Sequence, residues 1–436
     1  MSNQRRKTAM TKNHPRSWIA PLALLGVVGC TNTGADESLE AAPQDAQVTA
    51  WVPGKPMPAH AHAEGTEHTL EMDWIRHEGS VEDLTDHSAL IIGGRVESTR
   101  FDVIRTYAQS KLEGQPSGEA SGIYTDLPVT IATVRIDDLA RSSLELKTAA
   151  GGVIAQGATV DVMFPGGLLS DGCMLAPADN PLPKVGEQAV LFLTPQGGAR
   201  SLAARSMTGV YSVTGGPMGR VLVEDGLVQG ASSSRHATAL KEHVGGPVDA
   251  LLARVEARAR AAQYMGPDTR EEPLLKAGPD GVTAQSWCGL AGFGYKWCRK
   301  PANVTYTDYT STLWPVGDAM NAWMYTNVSN SLYLHWRSSG ASDVMVYESY
   351  YGYTGWYGYA TNSWSGTCMT RSTIQLNNTY HSGAHYAKTV AIHEVGHSLG
   401  FAHHSNCNSI MYTNPTACTA AITSCDAQAA AEFYPY

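Results

Sequence analysis

The run His393-Glu394-Val395-Gly396-His397-Ser398-Leu399-Gly400-Phe401-Ala402-His403 leaves this chain the fewest choices. His393 and His397 are four apart, so a helix puts both imidazoles on one face, a turn from each other, where they can share one metal ion. Glu394 follows the first histidine and sits beside such an ion without having to ligate it, the place for a general base. Gly400, three residues after His397, can take a conformation closed to other residues, end the helix and turn the chain. His403 then returns as a third ligand. Three neutral imidazoles leave one open position on a tetrahedral zinc, the mark of a reactive site. Ser409-Ile410-Met411-Tyr412 follows closely.

The rest of the sequence bounds the setting. With 436 residues there is room for two or three domains with real cores, and 43% hydrophobic residues mark a globular chain. A net charge of −9 argues against nucleic acid or an anionic membrane surface as partner. Arg5, Arg6, Lys7, Lys12 and Arg16 form a basic stretch ahead of the short apolar run 18–29, the pattern of an export signal, with Met10 an alternative start. The run ends in Val27-Val28-Gly29-Cys30, which resembles a bacterial lipobox and implies a lipid anchor at Cys30. The expected location is the cell envelope, as a surface or outer-membrane lipoprotein, or the medium.

Of the 8 cysteines, Cys173, Cys288, Cys298, Cys368, Cys407, Cys418 and Cys425 remain once Cys30 is set aside. In an oxidising compartment they read as up to three disulfides with one thiol left over, and Cys173 is the outlier by position.

In chain order, 1–30 is the signal and 31–84 a polar tether, in which His60, His62, His68 and His77 read as solvated. Residues 85–230 form a β-rich domain and a candidate pro-region, with strands expected at 89–96, 129–136, 159–164 and 188–193, and a closing pair at 209–213 and 219–223. Its layout resembles the OB-like β-domain ahead of some bacterial secreted metalloproteases. Residues 231–285 hold an amphipathic helix over 248–263 and an exposed linker from 264, suited to processing. The last domain, 286–436, is rich in Tyr, Trp and Ser. Its strands are expected at 303–306, 331–336, 343–347 and 372–377, with helices over 316–324, 388–399 and 426–434 and a Gly/Tyr-rich loop over 350–359.

This order of strands and helices, the extended histidine motif and the Ser-Ile-Met-Tyr turn resemble the matrixin branch of the metzincin zinc proteases over about residues 300–415. The resemblance implies an α+β fold, with a metzincin-type catalytic domain (a twisted mixed sheet and a zinc helix) behind the small all-β, OB-like domain. It implies His393, His397 and His403 as ligands of one catalytic zinc, Glu394 as general base, and Met411 beneath the metal. Tyr412 and the segment after it are expected to wall the substrate side-chain pocket, and the strand around Gly358-Tyr359-Ala360 to be an edge where an extended peptide docks. In matrixins a propeptide cysteine caps the zinc; Cys173 is the candidate here, although its surroundings, Asp171-Gly172-Cys173-Met174, differ from the family pattern and a disulfide is the competing reading. Asn377-Asn378 stand where acidic ligands are expected, so Ca2+ is open and a second zinc is not supported. His335, His381, His385 and His404 are off ligand spacing.

The activity so implied is zinc-dependent endopeptidase hydrolysis of extracellular proteins, through a zinc-activated water with Glu394 as base. The expected partner is a protein or peptide substrate; the chain is a monomer, without nucleic acid, meeting membrane only through Cys30. The alternatives are a non-catalytic zinc-binding surface lipoprotein and a hydrolase of cell-wall peptides.

Overall fold

The computed structural model describes residues 66–435 except 75–79, 110–120, 144–145, 170–171, 178–179, 197–208, 232–239, 267–291, 301, 327–330, 382, 405–407 and 414–418. The signal run with Cys30, the histidines His60, His62 and His77, and the linker from 267 lie outside the described residues.

The first described element corrects the expected tether. Thr66–Trp74 is a strand (β1), and it pairs with a strand of the C-terminal domain. The segment is polar enough to read as a linker, but Leu70 and Met72 alternate with polar residues, and both are buried. A short helix follows, Val81–His87 (α1), with Ser80 Oγ accepting from the Asp83 amide at 3.1 Å.

The N-terminal domain is built from Leu90–Tyr107 (β2), Tyr124–Ser142 (β3), Thr159–Pro165 (β4), the small ribbon Gly167–Leu168 (β5) and Met174–Leu175 (β6), Gln188–Pro195 (β7), Val210–Val213 (β8), Arg220–Glu224 (β9) and Leu227–Ala231 (β10). β2 pairs β3, β3 pairs β4, β4 runs parallel to β8, β8 pairs β7, and β7 returns to β2. That ring is a closed barrel, so those strands keep no free edge. β8 and β9, expected as a closing pair, both lie along β7 instead. The interior is aliphatic, with Ile92, Val134, Ile136 and Val162 among its buried residues. Val248–Ala261 (α2), the expected amphipathic helix, buries Leu251, Leu252 and Val255 against the barrel's outer face. Arg254 pairs with Glu82 at 2.6 Å and Arg258 with Asp86, tying α2 to α1.

The C-terminal domain carries Ala302–Asp308 (β11), Val316–Met324 (α3), Leu332–Arg337 (β12), Val344–Ser349 (β13), Trp356–Ser365 (β14), Cys368–Asn377 (β15), Ala384–Ser398 (α4) and Ser424–Phe433 (α5). Its sheet runs β1-β14-β15-β13-β11-β12. β11, β12, β13 and β15 are parallel, and β14 is antiparallel to β15. This mixed sheet with few helices is the α+β architecture expected. The Gly/Tyr-rich loop is shorter than expected, because β14 begins at Trp356. Asn377 explains where that loop sits: its Nδ2 donates to Thr354 Oγ1 (2.9 Å) and to the carbonyls of Gly352 and Trp356 (both 3.2 Å). Asn378 Oδ1 accepts from Trp314 Nε1 at 2.6 Å, so both asparagines are buried structural residues.

Cys298–Cys368 is a disulfide closing 70 residues of sequence. Cys173 is disulfide-bonded too. It therefore carries no thiolate to cap a metal, and the competing reading holds. None of the described cysteines is free.

Candidate metal centre

The geometry begins with the α4 helix, which packs on α3 and on β14 and β15. His393 and His397 are fully buried on its inner face. Their Nδ1 atoms lie 2.6 Å from the Ile410 carbonyl and 2.7 Å from the Phe401 carbonyl. A carbonyl only accepts, so each Nδ1 carries the ring proton and each Nε2 presents a lone pair. The helix ends at Ser398, and Gly400 just beyond it has a φ of +94°, strained for other residues; a Cβ there would lie 2.5 Å from the Tyr295 carbonyl. That turn brings His403 back, with its Nε2 3.2 Å from that of His397, which is itself 2.9 Å from that of His393. Three imidazole nitrogens, all within 4.8 Å of one another, form a group that could hold a metal ion. Lone pairs directed at one point repel unless a cation lies between them, so this donor set fits a zinc-type ion.

Glu394 is fully buried on the same helix. It lies against Gly358 of β14, where a Cβ would collide with its carboxylate. Gly396 plays the same part for Met411, since a Cβ there would collide with the methionine sulfur. Neither glycine needs an unusual φ; each is required by space.

Several residues that position this centre were not singled out from the sequence. Asp426, fully buried in the first turn of α5, is the clearest. It accepts from Ser409 Oγ (2.5 Å), the Ile410 amide (3.0 Å) and the Thr423 amide (2.8 Å), and so fixes the turn that carries Met411. The Thr423-x-x-Asp426 capping pattern is visible in the sequence, but it signals only a helix start. Asn362 of β14 donates to the His397 carbonyl at 2.9 Å. Trp323 Nε1 donates to the Ile392 carbonyl (2.8 Å), Trp297 Nε1 to that of Ser398 (2.9 Å), and Tyr434 Oη to that of Leu399 (2.6 Å). Tyr359, beside Glu394, is fully buried. Burial, with the neighbouring Tyr351 and Glu394, holds its hydroxyl well above the ordinary tyrosine range, so it keeps its proton.

Of the other histidines, His335 is exposed and 3.3 Å from Asn303 Oδ1. His381 Nε2 lies 3.2 Å from the Leu313 carbonyl. The His404 amide donates to the Met411 carbonyl at 2.6 Å, so this residue braces the turn through its backbone. His68, read as solvated, lies on β1 with Nδ1 2.9 Å from Ser363 Oγ. Tyr412 is half-buried, and the segment after Thr413 lies outside the described residues as far as 418.

Comparison with known proteins finds a family likeness over this centre. Residues 318–435 match the matrixin family model. Two solved structures of myroilysin are similar. One is 16% identical, covering 34% of this chain and 99% of its own, with a TM-score of 0.22. The other is 14% identical, covering 38% and 99%, with a TM-score of 0.23. No curated protein matches the chain. The matched segment contains α4, the three histidines, Glu394 and the Met411 turn, so the likeness of the C-terminal part of this chain to the matrixins spans the whole of this centre.

Proposed function

We propose that the chain is a zinc-dependent endopeptidase acting on extracellular proteins. The observation that carries this reading is the convergence of His393, His397 and His403 on one point, with the buried Glu394 carboxylate next to His393 on the same helix. His393, His397 and His403 are the ligands. A zinc ion held by them supplies Lewis-acid polarisation of the scissile carbonyl and acidifies water to near neutrality. Glu394 takes the proton from the attacking water and hands it to the leaving amine. Gly358 lets the carboxylate approach β14, the strand along which a peptide would add, and Met411 packs under the ligands. Tyr412 and the residues after it line the pocket for the side chain just past the scissile bond. A merely structural zinc reading accounts less well for the site, because such sites use four protein ligands and have no use for a buried carboxylate alongside.

In the N-terminal domain, the ring order β2-β3-β4-β8-β7 with β4 parallel to β8 supports an OB-like barrel. We take it as a pro-region of an exported protein anchored through Cys30, acting as a monomer.

The test is cleavage of an unfolded protein substrate by the whole chain, in long incubations, with and without a zinc chelator, beside Glu394→Gln. Chelation is expected to abolish cleavage. Glu394→Gln is expected to lower the rate by about a thousandfold or more while metal analysis still finds one zinc per chain. Near-normal turnover by that variant would falsify the role given to Glu394.

A further inference from the structure

At the end of the sheet opposite β12, β14 is the outermost strand that the C-terminal domain's own sequence supplies, and its Gly358 is the residue against which Glu394 lies. An outer strand beside a hydrolytic carboxylate offers a row of backbone N–H and C=O groups to which an extended peptide can add. In this chain the row is taken. β1 runs antiparallel along the whole of β14, from Thr66 opposite Ser365 to Trp74 opposite Trp356. The pairing is regular as far as Asp73, opposite Gly358, and shifts register between Asp73 and Trp74. The regular ladder thus ends at the metal centre.

Leu70 and Met72 of β1 are gripped from both domains. Leu70 and Met72, two residues apart and at most 1% exposed, share one apolar cluster with Trp356 and Tyr359 of β14 and with Ile131 and Met163 of the barrel. Leu70 also bridges to Pro177, beside β6. The strand is therefore clamped between the barrel and the edge it covers. The barrel's own hold on the C-terminal domain is nearby: Thr106 Oγ1 donates to Tyr351 Oη at 2.5 Å, and the Gln109 amide to the Tyr309 carbonyl at 2.7 Å.

We propose that β1 is a built-in occupant of the peptide-docking edge. The chain keeps its own extended segment where a substrate with apolar side chains two residues apart would add as a strand, and it is latent until β1 leaves. This rests on the peptidase reading of the site, which the experiment below can lose separately.

Two readouts are taken. The first is cleavage of an unfolded protein by the parent chain and by Leu70→Asp/Met72→Asp. The second is binding of a fluorescein-labelled peptide with the sequence of residues 66–74 to both chains in a Glu394→Gln background, where nothing is cut. The double variant is expected to cleave at least about tenfold faster than the parent. It is also expected to bind the peptide at least about tenfold more tightly, with unlabelled peptide displacing the label. Equal cleavage and equal peptide binding would make β1 a purely structural strand and overturn the proposal. If neither chain cleaves but only the strand variant binds peptide, the peptidase reading falls and the occupied edge stands. Leu70→Ala/Met72→Ala, milder at the same positions, serves the same comparison if the aspartates unfold the chain.

Discussion

The barrel and the domain that carries the three-histidine group are held together by different kinds of core. The barrel is filled with branched aliphatic side chains such as Ile92, Val134, Ile136 and Val162, which have no polar atoms and pack by shape alone. The C-terminal domain is rich in buried Trp and Tyr, and three of their polar tips are committed to the helix: Trp297, Trp323 and Tyr434 each donate to a named carbonyl of α4 or its end. His393, His397 and Asn362 make bonds of the same directed kind. Shape-packed cores accept rearrangement of volume, whereas directed bonds fix where a helix end lies. A centre that must bring three imidazoles to one point needs the second kind.

Three changes would break or sharpen this contrast. Asp426→Ala should have the largest effect. It strands the buried amide of Ile410 and the hydroxyl of Ser409, and should cost about 3 kcal/mol in urea denaturation and lower zinc affinity by about tenfold or more. A cost below about 1 kcal/mol with unchanged zinc binding would mean the Met411 turn holds itself. Ile136→Val, in the barrel, should cost only about 1 kcal/mol and leave zinc affinity untouched. A loss of zinc affinity from that change would show that the two cores are coupled.

The smallest effect concerns the barrel's outer clamp. The Arg254 guanidinium hydrogen-bonded to Glu82 holds its carboxyl below the usual carboxylate range. A depressed folded-state value means the pair stabilises above the unfolded pKa of about 4.3 and loses that contribution as pH falls through the folded value. The pair is partly exposed and solvent-screened, so it should be worth less than about 1 kcal/mol. Arg254→Met should flatten the acid limb of the stability curve slightly, and salt should do the same. An unchanged acid limb would assign no stabilisation to the clamp.

How much of this could be read from the sequence follows from the range of each interaction. The α4 helix and the convergence of its histidines were legible because their logic is local: four residues set two imidazoles on one face, and Gly400 stands where the chain must turn. The barrel strands were legible from alternation over a few residues. Asp426 was legible as a helix start but not as the anchor of the Met411 turn, because its partners Ser409 and Ile410 lie 17 and 16 residues away in sequence. β1 was hidden for the same reason on a larger scale. Its contact from His68 to Ser363 spans 295 residues, and no local pattern in a polar segment names a partner that far off.

That separation also sets an order of assembly. Residues 66–74 are among the first described residues to be synthesised, but their partner strand is made almost 300 residues later. Contacts so distant in sequence form late and slowly. The barrel can close before the rest of the chain exists, while Leu70 and Met72 must wait, covered on the barrel side alone, until β14 arrives. During synthesis, therefore, this short strand is a segment in need of protection from aggregation, because it is made long before the strand it pairs with.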